Sequence, residues 1–316
     1  MKQRLITGIV LLAIFLPLLI VPELFTLFQI LMVILCIVAS YEMINLYEKE
    51  KKFPLIVKIF IMIASGLIYM SALSEWADFT SKSFINSVSG KTLELLNLQI
   101  GFLPILLLVF IILFSLMVFC KDFNGTDVGK ALTAVCYTGL CFGALTILRF
   151  LGLRYIIYLF LITILTDVFA YLGGSKFGKH KMCPLISPHK TWEGAVIGSI
   201  VAVVVGALFA FFYGDMFGTN AYFNPEGLKT LFGGSAVFRT GNIDNLSAAG
   251  QFFAILGISV LVSITGQIGD LVASKLKRTV GLKDYGNIFP GHGGVLDRLD
   301  SAIFAALSLL LIFVLL

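Results

Sequence analysis

The stretch FPGHGGVLDRLDS, residues 289–301, sets a histidine, an arginine, two aspartates and three glycines directly before the apolar run AIFAALSLLLIFVLL. Asp297 and Asp300 are three residues apart, so on a helix both project from one side. One acid at that place would cap the helix and complement its dipole. Two of them, with Asp270 on the preceding apolar segment, make an oxygen-rich pocket suited to a hard cation such as Mg2+. Between these carboxylates runs KRTVGLKDYGNIFPGHGG, with Lys277, Arg278 and Lys283 as positive charge and Gly286, Gly291, Gly293 and Gly294 letting the backbone come close to a ligand or adopt positive φ. Glycine-rich backbone amides beside cations can cradle phosphate oxygens. A solvated basic loop explains any one of those lysines. It does not explain glycines and carboxylates arriving together.

The segment SITGQIGDLVASKLKR, before this loop, carries a polar stripe. At 100° per residue Ser263, Gln267, Asp270, Ser274 and Lys277 fall on one side of a helix. Interhelical hydrogen bonding suits the serines and the glutamine. It suits Asp270 poorly, because an acid at membrane depth needs a cation. In TILTDVFAYLGG, Asp167 shares a face with Thr163 and Tyr171, serving either interhelical pairing or the site. The second basic loop, GSKFGKHKMCPLISPHKTWEG, ends in Lys190 and Glu193 where another apolar segment begins. Glu193 is either a helix-dipole partner or a site residue.

These residues must be positioned by the elements around them. The chain has 316 residues, 59% hydrophobic and only 13% charged, with a mean hydropathy of +1.00. A soluble domain is about 25% charged. The composition predicts an all-α polytopic membrane protein, a bundle of about nine transmembrane helices near 5–21, 24–46, 57–73, 102–119, 131–149, 155–173, 194–213, 250–276 and 299–316. No segment shows the alternation of barrel strands, and no internal repeat is visible. The first apolar run lacks a small-residue cleavage site and is expected to be a retained helix. Residues 1–150 read as an N-terminal transmembrane region of about five helices, and 151–316 as a catalytic transmembrane region with two cytoplasmic basic loops.

Lysine and arginine set the expected orientation. With Lys2 and Arg4 cytoplasmic, 17 of the 23 basic residues fall on that side, Lys58, Lys190, Lys277 and Arg298 among them. Lys82, Lys91, Arg149, Arg154, Lys229 and Arg239 fall on the other. The two unusual loops, 174–193 and 275–298, thus share the side that holds the cell's nucleotides. Cys36, Cys120, Cys136, Cys141 and Cys183 show no CxxC spacing, and His180, His189 and His292 no ligand spacing, which argues for structural thiols and against zinc. GxxxxGK[ST], HExxH and a strand-following GxGxxG are all absent.

The stretch SKLKRTVGLKDYGNIFPGHGGVLDRLD, residues 274–300, resembles the signature of the phosphatidate cytidylyltransferases, also called CDP-diacylglycerol synthases: S-x-L-K-R-x4-K-D-x-G-x2-F-P-x-H-G-G-x2-D-R-x-D. DVFAYLGGSKFGKHK and ISPHKTWEG resemble the family's second block, and KQRLITG adds a weaker likeness near the start. The external loops 74–101 and 214–249 match nothing. The resemblance implies that CTP and phosphatidic acid are joined into CDP-diacylglycerol with release of pyrophosphate. It further implies Mg2+ dependence, with Mn2+ as a substitute, a second cation such as K+, and homodimers. Asp270, Asp297 and Asp300 would be the metal-site carboxylates. Lys277, Arg278, Lys283, His292 and Arg298 would lie around the phosphates. Asp284 belongs to the same motif, either as a further ligand or as the partner of a lysine. Asp167, Lys190, Glu193, Ser274, Gly293 and Gly294 are the expected substrate-binding positions.

The expected localisation is a bacterial plasma membrane with the active site cytoplasmic, and no nucleic-acid partner. Nine helices with buried acids also describe a cation-coupled secondary transporter, which the lack of inverted repeats disfavours. A phosphatidyltransferase that consumes CDP-diacylglycerol would carry D-G-x2-A-R-x8-G-x3-D-x3-D, which is absent.

Overall fold

The computed structural model describes residues 2–83, 100–213, 246–289, 291 and 293–315; for residues 2–7, 22 and 77–83 the description is of the backbone alone. His292 and the loop lysines and arginine Lys91, Lys229 and Arg239 lie outside the described residues, as do most of the loops 74–101 and 214–249 and the side chains of Lys2, Arg4 and Lys82.

Nine α-helices appear among the described residues: α1 (Lys2–Ile20), α2 (Phe25–Tyr47), α3 (Leu55–Ser83), α4 (Phe102–Phe119), α5 (Gly125–Leu151), α6 (Leu153–Phe177), α7 (Trp192–Phe211), α8 (Ala248–Thr279) and α9 (Leu296–Leu315). Eight of them, α2 to α9, contain segments long and apolar enough to cross a membrane, while α1 contributes a shorter apolar stretch, Gly8–Ile20. The protein is an integral membrane protein of all-α class. The one departure from helix in the second basic loop is a short antiparallel hairpin, β1 (Lys181–Cys183) and β2 (Ser187–Thr191). Hydropathy reads that loop as irregular because Pro184 and Pro188 punctuate it.

By internal packing the described residues form two compact units. One draws on Met1–Phe79, Leu93–Ile147 and Leu276–Leu299, the other on Thr80–Thr92, Leu148–Lys275 and Asp300–Leu316.

In the first unit, α2 buries Phe25, Phe28, Met32, Cys36, Ala39 and Met43, a helix-period stripe. Helix α4 buries only Ile105, Val109 and Leu113, one residue per turn, and leaves its other faces for lipid. Helices α3 and α5 meet where Gly139 faces Ile68 and the Ser65 carbonyl. Polar contacts fix the ends. Asn124 accepts the Asp127 amide at 3.1 Å, while Asp127 accepts the Asn124 amide at 3.0 Å and the Lys51 ammonium at 2.7 Å. This reciprocal cap starts α5 at Gly125, six residues before the hydropathy boundary. Lys130 with Glu50 and Lys58 with Glu48 pair across the same turn.

In the second unit, glycines bring α6 and α7 together. A Cβ on Gly194 or Gly198 would stand 2.5 Å from the carbonyl oxygen of Ala170 or Thr166, and one on Gly173 would meet Ile197 at 2.9 Å. Small residues four apart permit this approach when lipid supplies no hydrophobic drive between helices. The Thr191 hydroxyl accepts the Gly194 amide and caps α7. Helix α8 joins them through hydroxyls: Ser263 meets Thr166 at 2.9 Å and Ser199 at 3.1 Å, Gln267 donates to Ser199 at 2.7 Å, and Tyr158 meets Ser259 at 2.7 Å. The upper part of the expected α8 stripe is therefore interhelical glue. Tyr155 packs edge-on against Phe313 of α9, with ring centroids 5.0 Å apart. Arg149 and Arg154, expected on the far side, are both buried in this unit.

Candidate active site

The chemistry-bearing side chains fall into one cluster in each unit. In the second unit, Asp270 of α8 and Asp167 of α6 lie beside Lys190, the fourth residue of β2, and Ser301 links Asp167 to Asp300 of α9. The Lys190 ammonium lies 2.5 Å from an Asp270 oxygen, and the Ser274 hydroxyl donates to the other at 3.2 Å. Asp167 is close enough to both Asp270 and Lys190 for their charges to act on it. The Ser301 hydroxyl reaches towards Asp167 and Asp300 at a long 3.5 Å, and its amide donates to Asp300 at 2.8 Å. Local sequence makes this approach possible. Gly269, next to Asp270, lets α8 settle on α9, since a Cβ there would sit 2.6 Å from the Phe304 side chain and 2.8 Å from the Asp300 carbonyl. Lys190 and Asp270 each keep about a quarter of their side-chain surface, 27% and 26%, and Asp167 is exposed. Acids at membrane depth that remain open face a water-filled cavity or a ligand rather than hydrocarbon.

Glu193 has a different task in this unit. It accepts the amides of Lys179 at 3.1 Å and His180 at 3.2 Å, and lies 2.5 Å from the His180 ring nitrogen. That ties the end of α6 to the start of α7 and holds the hairpin between them.

The first unit holds the glycine-rich loop. Asp297, one residue into α9, is almost closed off, with 4% of its side-chain surface exposed. One oxygen accepts from the Lys277 ammonium at 2.7 Å, and the other from the amides of Tyr285 at 2.8 Å and Gly294 at 2.9 Å. Lys277 also lies over the Tyr285 ring, 5.1 Å from its centroid. Gly293 has φ +87°, and a Cβ there would be both strained and 2.8 Å from Asp297. Arg278 donates to the Leu282 carbonyl at 2.9 Å and is exposed, as are Lys283, Asp284 and Arg298. Of the loop glycine amides expected to cradle phosphate, that of Gly294 is engaged within the protein, as are several neighbouring amides. Gly294 gives its proton to Asp297, Val295 and Leu296 give theirs to Glu42, and Phe289 bonds the Gly293 carbonyl.

Glu42 is the residue that sequence reasoning missed. It sits on α2, in the last two turns of an apolar span, and a lone acid in the run ASYEMINLY was the available signal.

Among the described residues no three histidine, cysteine, aspartate or glutamate side chains stand together as a ready-made metal nest. The donor types of the second unit nevertheless fit a hard cation, being carboxylates with one ammonium beside Asp270. Asp297 fits less readily, because three protein donors already fill its two oxygens.

The Cytidylyltransferase family matches the chain over residues 2–316. A phosphatidate cytidylyltransferase of Staphylococcus haemolyticus (strain JCSC1435) is 33% identical over 315 residues, 99% of each chain. Proteins of the same name from Staphylococcus aureus (strain COL) and Staphylococcus saprophyticus are 32% and 31% identical over the same share of both chains.

Proposed function

Since the chain belongs to the cytidylyltransferase family and is a membrane nucleotidyltransferase, we propose that it joins CTP to phosphatidic acid, forming CDP-diacylglycerol and pyrophosphate. A lipid phosphate oxygen attacks the α-phosphorus of CTP in line. The bond from that phosphorus to the bridging oxygen of the β-phosphate breaks, and pyrophosphate leaves with the electron pair. No general base is needed, because a phosphate monoester is largely ionised at neutral pH. The protein's work is positioning and charge neutralisation. The observation that carries this reading is Lys190 beside Asp270 and Asp167, two acids of spanning helices that stay open, where a lipid-borne anion and a water-borne one can meet.

In this reading Asp270 and Asp300, with Asp297 one helical turn before Asp300, would hold Mg2+ or Mn2+, which supplies charge neutralisation between two anionic reactants. Lys190 would neutralise charge on an incoming phosphate. Lys277, Arg278, Lys283 and Arg298 draw in the β- and γ-phosphates. Purified protein in detergent, given phosphatidate, radiolabelled CTP and Mg2+, should move label into the lipid extract. Label that stays wholly in the aqueous phase would overturn the proposal.

The site should face the cytoplasm. In a variant keeping only Cys183, at the end of β1, a membrane-impermeant maleimide should label inverted vesicles and leave intact cells unlabelled. The opposite pattern would put CTP on the wrong side of the membrane.

A further inference from the structure

Glu42 is 2% exposed on a membrane-spanning helix, and its carboxylate touches neither lysine nor arginine among the hydrogen bonds and ion pairs described above. Its two oxygens accept backbone amides more than 250 residues further along the chain: Val295 at 2.9 Å and Leu296 at 3.0 Å. Those are the amides at the start of α9, which have no partner within the helix. A Cβ added at Gly286 would stand 2.9 Å from the same carboxylate, and one at Gly294 would collide with it. Glu42 thus requires glycine at two positions of the loop. Immediately downstream, Asp297 takes the Tyr285 and Gly294 amides. The two carboxylates together close the loop with four backbone hydrogen bonds, and the Lys277 ammonium completes the closure on Asp297.

We infer that Glu42 is a positioning residue for nucleotidyl transfer: from α2 it clamps the first turn of α9 and so fixes the bearing of Asp297 and Arg298. A carboxylate is the suitable group. Its two equivalent acceptors meet two adjacent amide donors, and its negative charge complements the helix terminus. Glutamine, nearly the same size, would keep one acceptor and turn an NH2 group against the second amide. An in-line displacement tolerates little misplacement, with a shift of 1 Å costing on the order of a hundredfold in rate. Because the clamp touches no substrate, its loss should appear in turnover rather than in nucleotide affinity. This role rests on the transfer reaction proposed above.

The test compares Glu42→Gln and Glu42→Asp with Ser40→Ala, a buried polar change on the same helix. Amide exchange followed by mass spectrometry should be at least tenfold faster in peptides covering 283–298 of Glu42→Gln, and unchanged in those covering α6. Its kcat should fall at least tenfold, with KM for CTP within threefold of the parent, while Ser40→Ala matches the parent in both readouts. Adding Glu42→Gln to Asp297→Asn should cost little more than the worse single change, since the two act on one turn. Parent-like exchange across 283–298, or losses that simply add, would overturn the clamp. Should Glu42→Gln fail to insert, Glu42→Asp, which keeps the charge but shortens the reach, is held to the same outcomes. A parent protein that transfers no label to lipid would sink the reaction and leave the exchange comparison to judge the clamp alone.

Discussion

Asp270→Asn should lower CDP-diacylglycerol formation by about a hundredfold, equivalent to ~2.7 kcal/mol of transition-state stabilisation, while the protein inserts and purifies as before. Asparagine preserves the shape and the bond from Ser274 but removes the charge that faces Lys190. Asp300→Asn should behave alike, and the double variant should be little worse than the worse single one, because groups acting on one ion are not additive. Part of each loss should return at higher Mg2+ or with Mn2+, since weakened affinity yields to concentration. Asp297→Asn should also lose activity but carry a second signature. Its two oxygens accept three protein hydrogen bonds, so the amide leaves at least one donor unmatched in a buried setting. Its thermal midpoint should therefore drop, whereas those of the other two should hold. Near-parent turnover in Asp270→Asn and Asp300→Asn would falsify the shared-metal proposal.

Lys277→Ala should reduce turnover at least tenfold, about 1.4 kcal/mol, while Lys58→Ala leaves it near the parent value. Lys277 is 8% exposed, faces Asp297 at 2.7 Å and covers Tyr285. Removing one partner of such a pair strands the other, at a cost on the order of 3–5 kcal/mol in stability. The paired change Lys277→Met with Asp297→Asn should restore the thermal midpoint but not the turnover, which separates folding from catalysis. Lys58, by contrast, makes a partly exposed pair with Glu48 at 2.6 Å, the kind that contributes about 0–1 kcal/mol. Burial pushes the Glu48 carboxyl up, but the Lys58 bond and the Phe53 amide outweigh it and hold the group below its ordinary value. Equal losses at both lysines would mean that general surface charge, and not this pair, supports the reaction.

The spans were legible in the sequence because crossing hydrocarbon demands a long apolar run whatever the tertiary structure. The helix ends were not, since helices overrun the membrane: α6 continues through Gly173 and Gly174 to Phe177, and α5 begins at the Asn124 cap rather than at the first apolar residue. The α8 stripe was legible from 100° arithmetic, down to the division between the interhelical Ser263 and Gln267 and the charge-paired Asp270. Its partners were not. Nothing in the spacing ties Lys190 to Asp270, because that pair depends on how α7 and α8 pack. Nor does anything local tie Glu42 to Leu296. The loop glycines were read as positions for close approach of a ligand or for positive φ; Gly291 and Gly293 do have positive φ, but the group that approaches Gly286 and Gly294 is Glu42, and sequence distance hides this. The protein partners of Asp297, a lysine twenty residues away and two amides, were hidden for the same reason.

The lysine on β2 also has a consequence for how the chain is made. Synthesis delivers Asp167 first, Lys190 next and Asp270 last, and a bare acid within a spanning helix costs up to about 3 kcal/mol to insert. Lys190 acts on Asp167 as well as pairing with Asp270. It is thus at hand as a counterion for the first acid before the second leaves the ribosome, and it receives the second on arrival. A helical hairpin that carries its own neutralising charge can enter the bilayer before any nucleotide or ion is present. The lysine that faces these acids in the folded protein also makes them tolerable to the membrane during birth.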